Sequence, residues 1–115
     1  MMMLLALQLA ANALPAPPTA IERRCVAVIA TVAYEQAKGR WKTLPAIGAS
    51  GGEYAAIIGA RLIDEAGMTE ATAGQALRDE ATAFRTRPFD TAEADGCVAI
   101  MQATLSAQPL PEPVK

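Results

Sequence analysis

The chain has 115 residues, with 10 basic and 12 acidic side chains and a formal net charge of −2 at pH 7. This length provides for one small domain, and the charge balance excludes the basic footprint of a nucleic-acid-binding protein. Histidine is absent, which removes the commonest general base and the commonest metal ligand. We therefore expect no metal, no cofactor and no catalytic residues.

The first stretch in chain order is an uncharged, apolar N-terminal segment, M-M-M-L-L-A-L-Q-L-A-A. It has the length of a signal-peptide core and is too short to span a bilayer. The small-x-small sequence that ends at Ala13 matches a cleavage site. We predict a signal peptide over 1–13 and a proline-rich linker over 14–18. Because no basic residue precedes the apolar run, an amphipathic first helix of the domain is the alternative.

The next pattern predicts a helix from Thr19 to Gly39. Thr19 followed three residues later by Glu22 is the signature of a capping box at a helix start. Gly39 takes the left-handed conformation that ends helices more readily than any other residue. The side chains that fall on one side of this helix at helical spacing are Ile21, Cys25, Val28, Ile29, Val32 and Gln36.

Three further helices are predicted after a loop over residues 39–52. The second begins near residue 53 and is stopped by Gly67, the third is capped by Thr69, and the fourth begins at Asp90 after Pro88 breaks the chain. Their inward residues are Tyr54, Ile57, Ile58, Leu62, Leu77, Ala81, Phe84, Ala94, Cys97, Met101 and Leu105. The fold class is therefore all-α, a small four-helix bundle over 19–107 with a proline-rich, flexible tail over 108–115.

The two cysteines of the chain, Cys25 and Cys97, lie on the inward faces of the first and last predicted helices. Aromatic residues make up only 4% of the chain, so the core is thin and gains from a covalent cross-link. In an exported protein these cysteines are expected to form a disulfide. Two independent thiols in a cytosolic bundle are the alternative.

Residues 48–52, G-A-S-G-G, match the pattern of a serine-hydrolase nucleophile elbow centred on Ser50. That motif requires a strand before the serine and a base to activate it, and this chain has no histidine. A loop in which Ser50 caps the second helix is the simpler interpretation. A small serine hydrolase is therefore a distant third hypothesis.

Residues 61–72, R-L-I-D-E-A-G-M-T-E-A-T, resemble the helix-turn-helix of lactose-repressor-type regulators. The resemblance implies a cytosolic DNA-binding regulator that uses helices around 54–86, and this is the second hypothesis for function. The expected recognition helix starts T-E-A-T-A-G-Q, however, with an acid where base-reading side chains are needed. A sharp turn between two bundle helices produces the same pattern, with Arg61 paired to Asp64 or Glu65 on the surface.

Trp41 is the only tryptophan, and it lies between Arg40 and Lys42 in the longest internal loop. Long loops often carry function, and exposed tryptophans often anchor interfaces. Trp41 is therefore the candidate contact with a partner. The alternative is that its ring folds back and closes one end of the bundle.

Several short motifs resemble a group of small, exported, all-helical, two-cysteine proteobacterial proteins of unknown function. These motifs are Arg24-Cys25, Tyr34-Glu35-Gln36 ahead of Gly39, A-R-L-I-D-E-A-G-M-T at 60–69, and Cys97. The resemblance implies a disulfide-tied periplasmic domain without catalytic residues. The leading hypothesis is thus a periplasmic or secreted, non-enzymatic protein without a stable membrane anchor, which binds another protein or a small apolar ligand.

Overall fold

The described part of the computed structural model, residues 16–108, contains four α-helices and no strand. The helices are α1 (Ala20–Ala37), α2 (Ser50–Asp64), α3 (Glu70–Arg85) and α4 (Thr91–Ser106). This confirms the all-α prediction with four helices. The predicted signal peptide over 1–13 and the tail beyond residue 108 lie outside the described residues.

Local side-chain hydrogen bonds fix the starts of three helices. At α1 the Glu22 N–H donates to the Thr19 hydroxyl (3.1 Å) and the Thr19 N–H donates to the Glu22 carboxylate (3.0 Å), which confirms the predicted capping box. Thr69 caps α3 in the same reciprocal way with Thr72. The Asp90 carboxylate accepts two backbone N–H groups of the first turn of α4. These residues satisfy N–H groups that a helix start otherwise leaves unpaired.

The start of α2 differs from the prediction that Ser50 caps it. Ala49 occupies the cap position without a side-chain hydrogen bond, and Ser50 is the first helical residue. This start is closely packed: a Cβ on Gly51 would lie 2.9 Å from Ile47 Cγ2 and 3.2 Å from Ile29 Cγ2. The glycine-rich stretch thus lets the first turn of α2 approach α1 and the loop before it.

Helix α1 packs against α2, α3 and α4. In the part of the chain described, α3 and α4 each pack against α1 and α2 but not against each other. The buried apolar side chains are Cys25, Ala27, Val28, Ile29, Val32, Leu44, Ile47, Tyr54, Ile58, Leu62, Ala73, Phe84, Ala94, Cys97, Val98 and Met101. The predicted inward faces of α2, α3 and α4 supply much of this core.

The first turn of α1 is polar on the side that faces α2. The sequence pattern placed Ile21 on the inward side of this helix, and that prediction is wrong. Ile21 is 64% exposed, because α2 contacts this turn through hydrogen bonds rather than apolar packing. The Tyr54 hydroxyl donates to the Glu22 carbonyl (2.8 Å). Burial, followed by the negative charge of Glu22, raises the pKa of Tyr54 to about 12.

Arg61 pairs with Glu22, and the prediction that it pairs with Asp64 or Glu65 is wrong. Its guanidinium donates to both carboxylate oxygens at 2.8 and 3.2 Å, and its Nε–H donates to the Ala16 carbonyl (3.0 Å). Burial alone would raise the pKa of Glu22, but hydrogen bonds from Arg61 and Thr19 and the charge of Arg61 outweigh it and lower the pKa. This pair ties α2 to α1 and to the segment before it.

Cys25 of α1 and Cys97 of α4 lie at disulfide distance, as predicted, with their Cα atoms 5.1 Å apart. That separation is within the usual range for disulfides. Both residues are buried, with exposed fractions of 1% and 3%. Beside them the Glu93 carboxylate of α4 binds Arg24 (2.7 Å) and Arg87 (2.9 Å). One covalent bond and one ion-pair cluster therefore join α4 to α1.

We expect reduction of the Cys25–Cys97 bond to lower the unfolding free energy. The bond closes a separation of 72 residues, and the loss of such a constraint on the unfolded chain costs on the order of 4 kcal/mol. Urea unfolding of oxidised and reduced protein measures the difference, and the Cys25→Ser, Cys97→Ser variant serves as the control. Two free thiols in non-reducing mass analysis of protein from an oxidising compartment would contradict the bond.

We expect Glu22→Gln to remove a pH-dependent part of the stability. Glutamine still serves the capping box, so the variant loses mainly the ion pair, about 1–2 kcal/mol at neutral pH. Since the folded-state pKa lies below the ordinary value of 4.5, this contribution is present above that pH and disappears as pH falls through the folded value. Urea unfolding at several pH values should show the two proteins converging in acid.

The matched control for this measurement is Glu53→Gln, because Glu53 is exposed in the first turn of α2. We expect its stability to remain close to that of the unchanged protein at neutral pH. A difference between Glu22→Gln and the unchanged protein that stays constant from neutral to acid pH would show that the ion pair does not supply the pH dependence.

Candidate functional site

The side chain of Gln36 in α1 hydrogen-bonds to the backbone of the loop over residues 38–49 at several points. Its amide Nε2–H₂ group donates most closely to the Pro45 carbonyl (2.9 Å), and its Oε1 accepts the Ile47 N–H (3.0 Å). Leu44 and Ile47 point into the core, with exposed fractions of 7% and 2%. The loop is therefore packed and hydrogen-bonded. Gln36, predicted only as a member of the inward stripe, provides its anchor.

Trp41 is half-buried and has a positive φ of 53°. Its ring stacks on Phe89, with 3.8 Å between the ring centroids and 19° between the planes. Trp41 follows α1, and Phe89 follows α3, so the stack joins the loop over 38–49 to the turn over 86–90. The ring thus has an internal packing partner. Its role as a contact with another molecule stays a prediction.

A groove runs between α1 and α3 near the ends of these helices. It is open to solvent, has a volume of about 600 Å³ and is lined by Ala27, Ala30, Thr31, Tyr34, Glu35, Ala81 and Arg85. We call it the α1–α3 groove. Three of its lining residues are alanines, so no large side chain fills the space above them. The volume is within the range of small-molecule sites.

Charged side chains surround the end of the α1–α3 groove. The Lys38 ammonium lies 4.1 Å from the centroid of the Tyr34 ring, and the Glu35 carboxylate is bound by Arg40 at 2.9 Å. Arg85 lies within salt-bridge distance of no carboxylate among residues 16–108. The charge of Glu35 is thus offset by Arg40, whereas the Arg85 guanidinium, which lines the same groove as Glu35, forms no salt bridge with an acid in the described part of the chain.

Sequence reasoning did not identify the α1–α3 groove. Tyr34, which is 60% exposed, belongs to one of the short motifs of the sequence, whereas no sequence pattern indicates a role for Arg85. The available signal was alanine at positions 27 and 30 of α1 and position 81 of α3. Alanine is common throughout the chain, however, so its spacing along one helix does not indicate which helix lies opposite.

In the part of the chain that the structure describes, the serine-hydrolase-like and helix-turn-helix-like motifs lack the surroundings that their functions require. Ser50 follows a turn, and no strand precedes it within residues 16–108. The stretch resembling a helix-turn-helix forms α2, a turn and α3. The glutamine of the expected recognition helix, Gln75, is hydrogen-bonded within its own helix: its Nε2–H₂ donates to Asp79 (2.8 Å) and its Oε1 accepts from Arg78 (3.0 Å). No group of three potential metal ligands occurs in the described residues.

Comparisons with known proteins found no match to this chain among family models, curated proteins or solved structures. None of the helices over residues 16–108 combines the length and the apolar character that crossing a membrane requires.

We expect Trp41 and Phe89 to be energetically coupled. Stacked aromatic pairs contribute about 0.5–1.5 kcal/mol beyond their burial, so Trp41→Ala and Phe89→Ala should be non-additive by that amount in urea unfolding. Ile63→Ala is the control, because Ile63 is also a partly exposed apolar residue (37%). The losses of unfolding free energy caused by Ile63→Ala and Trp41→Ala should simply add in the double variant. Zero coupling, combined with weaker partner binding by Trp41→Ala at unchanged stability, would instead identify Trp41 as a contact residue.

Proposed function

We propose that this chain is an exported, non-enzymatic helical protein that binds a small apolar ligand or a protein partner in the α1–α3 groove. The observation that carries the proposal is the groove itself, about 600 Å³ with alanine side chains at its surface. Tyr34 at its edge is 60% exposed. A large exposed aromatic beside an apolar groove is a usual feature of a binding surface.

The cysteine pair supports the exported part of the proposal. Disulfides persist in oxidising compartments and are rare in the cytosol, and Cys25 and Cys97 are the only cysteines and lie at disulfide distance. The apolar segment over 1–13 with its small-x-small ending at Ala13 supports the same location. These two observations together support a periplasmic or secreted location.

The α1–α3 groove favours binding over the two alternative functions. A DNA-binding regulator needs basic or amide side chains at the start of its recognition helix, whereas α3 begins with Glu70 and its Gln75 is hydrogen-bonded to its own helix. A serine hydrolase needs a base for Ser50, and the chain has no histidine. Ligand binding in the groove requires neither base-reading side chains nor a catalytic base.

A groove-filling variant tests the proposal. Ala30 lines the groove and is exposed, so Ala30→Phe places a ring in the space without disturbing the core. We expect protein from the periplasmic fraction to begin at residue 14 and to carry a bound species in native mass spectrometry. Ala30→Phe should lose that species.

The matched control is Ala56→Phe, an exposed alanine on α2 outside the groove. It should keep the bound species and unfold at nearly the same temperature as Ala30→Phe. An intact N-terminus on protein found in the cytosol would contradict export. A bound species retained equally by both variants, or found on no form of the protein, would contradict binding in the α1–α3 groove.

A further inference from the structure

We propose that the ligand of the α1–α3 groove is a medium-chain aliphatic carboxylate, with its chain along the alanines and its carboxylate bound by Arg85. This inference deepens the proposed function and rests on it. It is carried by charge complementarity at the end of the groove together with the shape and chemistry of the lining.

The lining matches an alkyl chain. Ala27, Ala30 and Ala81 present methyl groups, and the Thr31 hydroxyl already donates to the Ala27 carbonyl (2.9 Å). A ligand therefore meets few unused polar groups along most of the groove. The lining residues of α1 run from position 27 to 35, about 12 Å along the helix axis. That distance corresponds to an extended chain of roughly eight to ten carbon atoms.

The charged end of the groove matches a carboxylate. Arg85 is the last residue of α3, and its guanidinium is a planar fork that binds carboxylates in two-point fashion. No acid among residues 16–108 competes for it within salt-bridge distance. The nearest acid of the lining, Glu35, is held by Arg40 at 2.9 Å.

The wider electrostatics favour the same ligand. The carbonyl ends of α1 and α3 carry partial negative charge at this end of the bundle, and Glu35 adds a full negative charge. Against these, Lys38, Arg40 and Arg85 supply full positive charges beside the groove. The balance is positive here although the whole chain has a net charge of −2. An anionic head group is therefore attracted to this end of an otherwise acidic protein.

The test uses the oxidised protein and three probes in amide-resolved NMR titrations: octanoate, 1-octanol and butyrate. Octanol keeps the chain and removes the charge, whereas butyrate keeps the charge and shortens the chain. We expect octanoate to shift amide signals around the groove-lining residues of α1 and α3 and to bind about tenfold more tightly than either of the others.

Two substitutions on α3 separate the role of Arg85 from a general effect of charge. Arg85→Gln should lower the affinity for octanoate about tenfold and leave that for octanol unchanged. Arg78→Gln makes the same charge change on the same helix, outside the groove lining, and should bind octanoate as the unchanged protein does. Ala30→Phe should abolish binding of both octanoate and octanol.

Three results would overturn the carboxylate assignment: octanol binding as tightly as octanoate, Arg85→Gln behaving like Arg78→Gln, or no shift with octanoate at all. If Ala30→Phe still removes the species carried from the periplasm in any of these cases, the proposed function stands and only the ligand class is wrong. If Ala30→Phe changes neither the species bound in native mass spectrometry nor the NMR titrations, the proposed function is wrong as well.

Discussion

The bond between Cys25 and Cys97 is the constraint on which this small bundle depends most. It joins α4 to α1, the helix that packs against all three of the others. Much of the buried surface comes from alanine, valine and isoleucine, which contribute less area each than aromatic residues do. A cross-link that restricts the unfolded chain offsets part of this deficit. In the described range α3 and α4 do not pack against each other. The attachment of α4 to α1 therefore contributes more to holding α4 in place.

Two polar side chains then fix the segments that the helices alone leave free. Arg61 binds both Glu22 and the Ala16 carbonyl, and so holds the segment before α1. Gln36 holds the loop over 38–49 through the Pro45 carbonyl and the Ile47 N–H. In each case a long side chain satisfies backbone or charged groups that would otherwise lack partners. No buried side-chain nitrogen or oxygen in the described part of the chain lacks a hydrogen bond.

The small residues that make the core thin also leave a groove open on the surface between α1 and α3. Alanines at 27, 30 and 81 leave the α1–α3 groove open. At the end of the groove the helices stop, and the basic residues Lys38 and Arg85 lie close to their last turns. Basic residues favour helix C-termini for electrostatic reasons of their own. One arrangement thus stabilises both helices and gives an apolar groove a positively charged end.

The sequence by itself determined those features that depend on residues close together in the chain. The capping box at Thr19, the cap at Thr69 and the glycine endings at Gly39 and Gly67 could be read from it because each involves residues within one helical turn. The inward placement of Cys25 and Cys97 followed from helical period alone.

Tertiary structure decided which surface each helix face meets. Arg61 binds Glu22, 39 residues away, rather than a neighbour on its own helix, and the polar contacts this brings leave Ile21 exposed. The Trp41–Phe89 stack and the α1–α3 groove likewise join residues from separate segments. Helical periodicity specifies the direction of a side chain around its own axis but not the neighbouring helix, because that neighbour is chosen by the packing of the whole core.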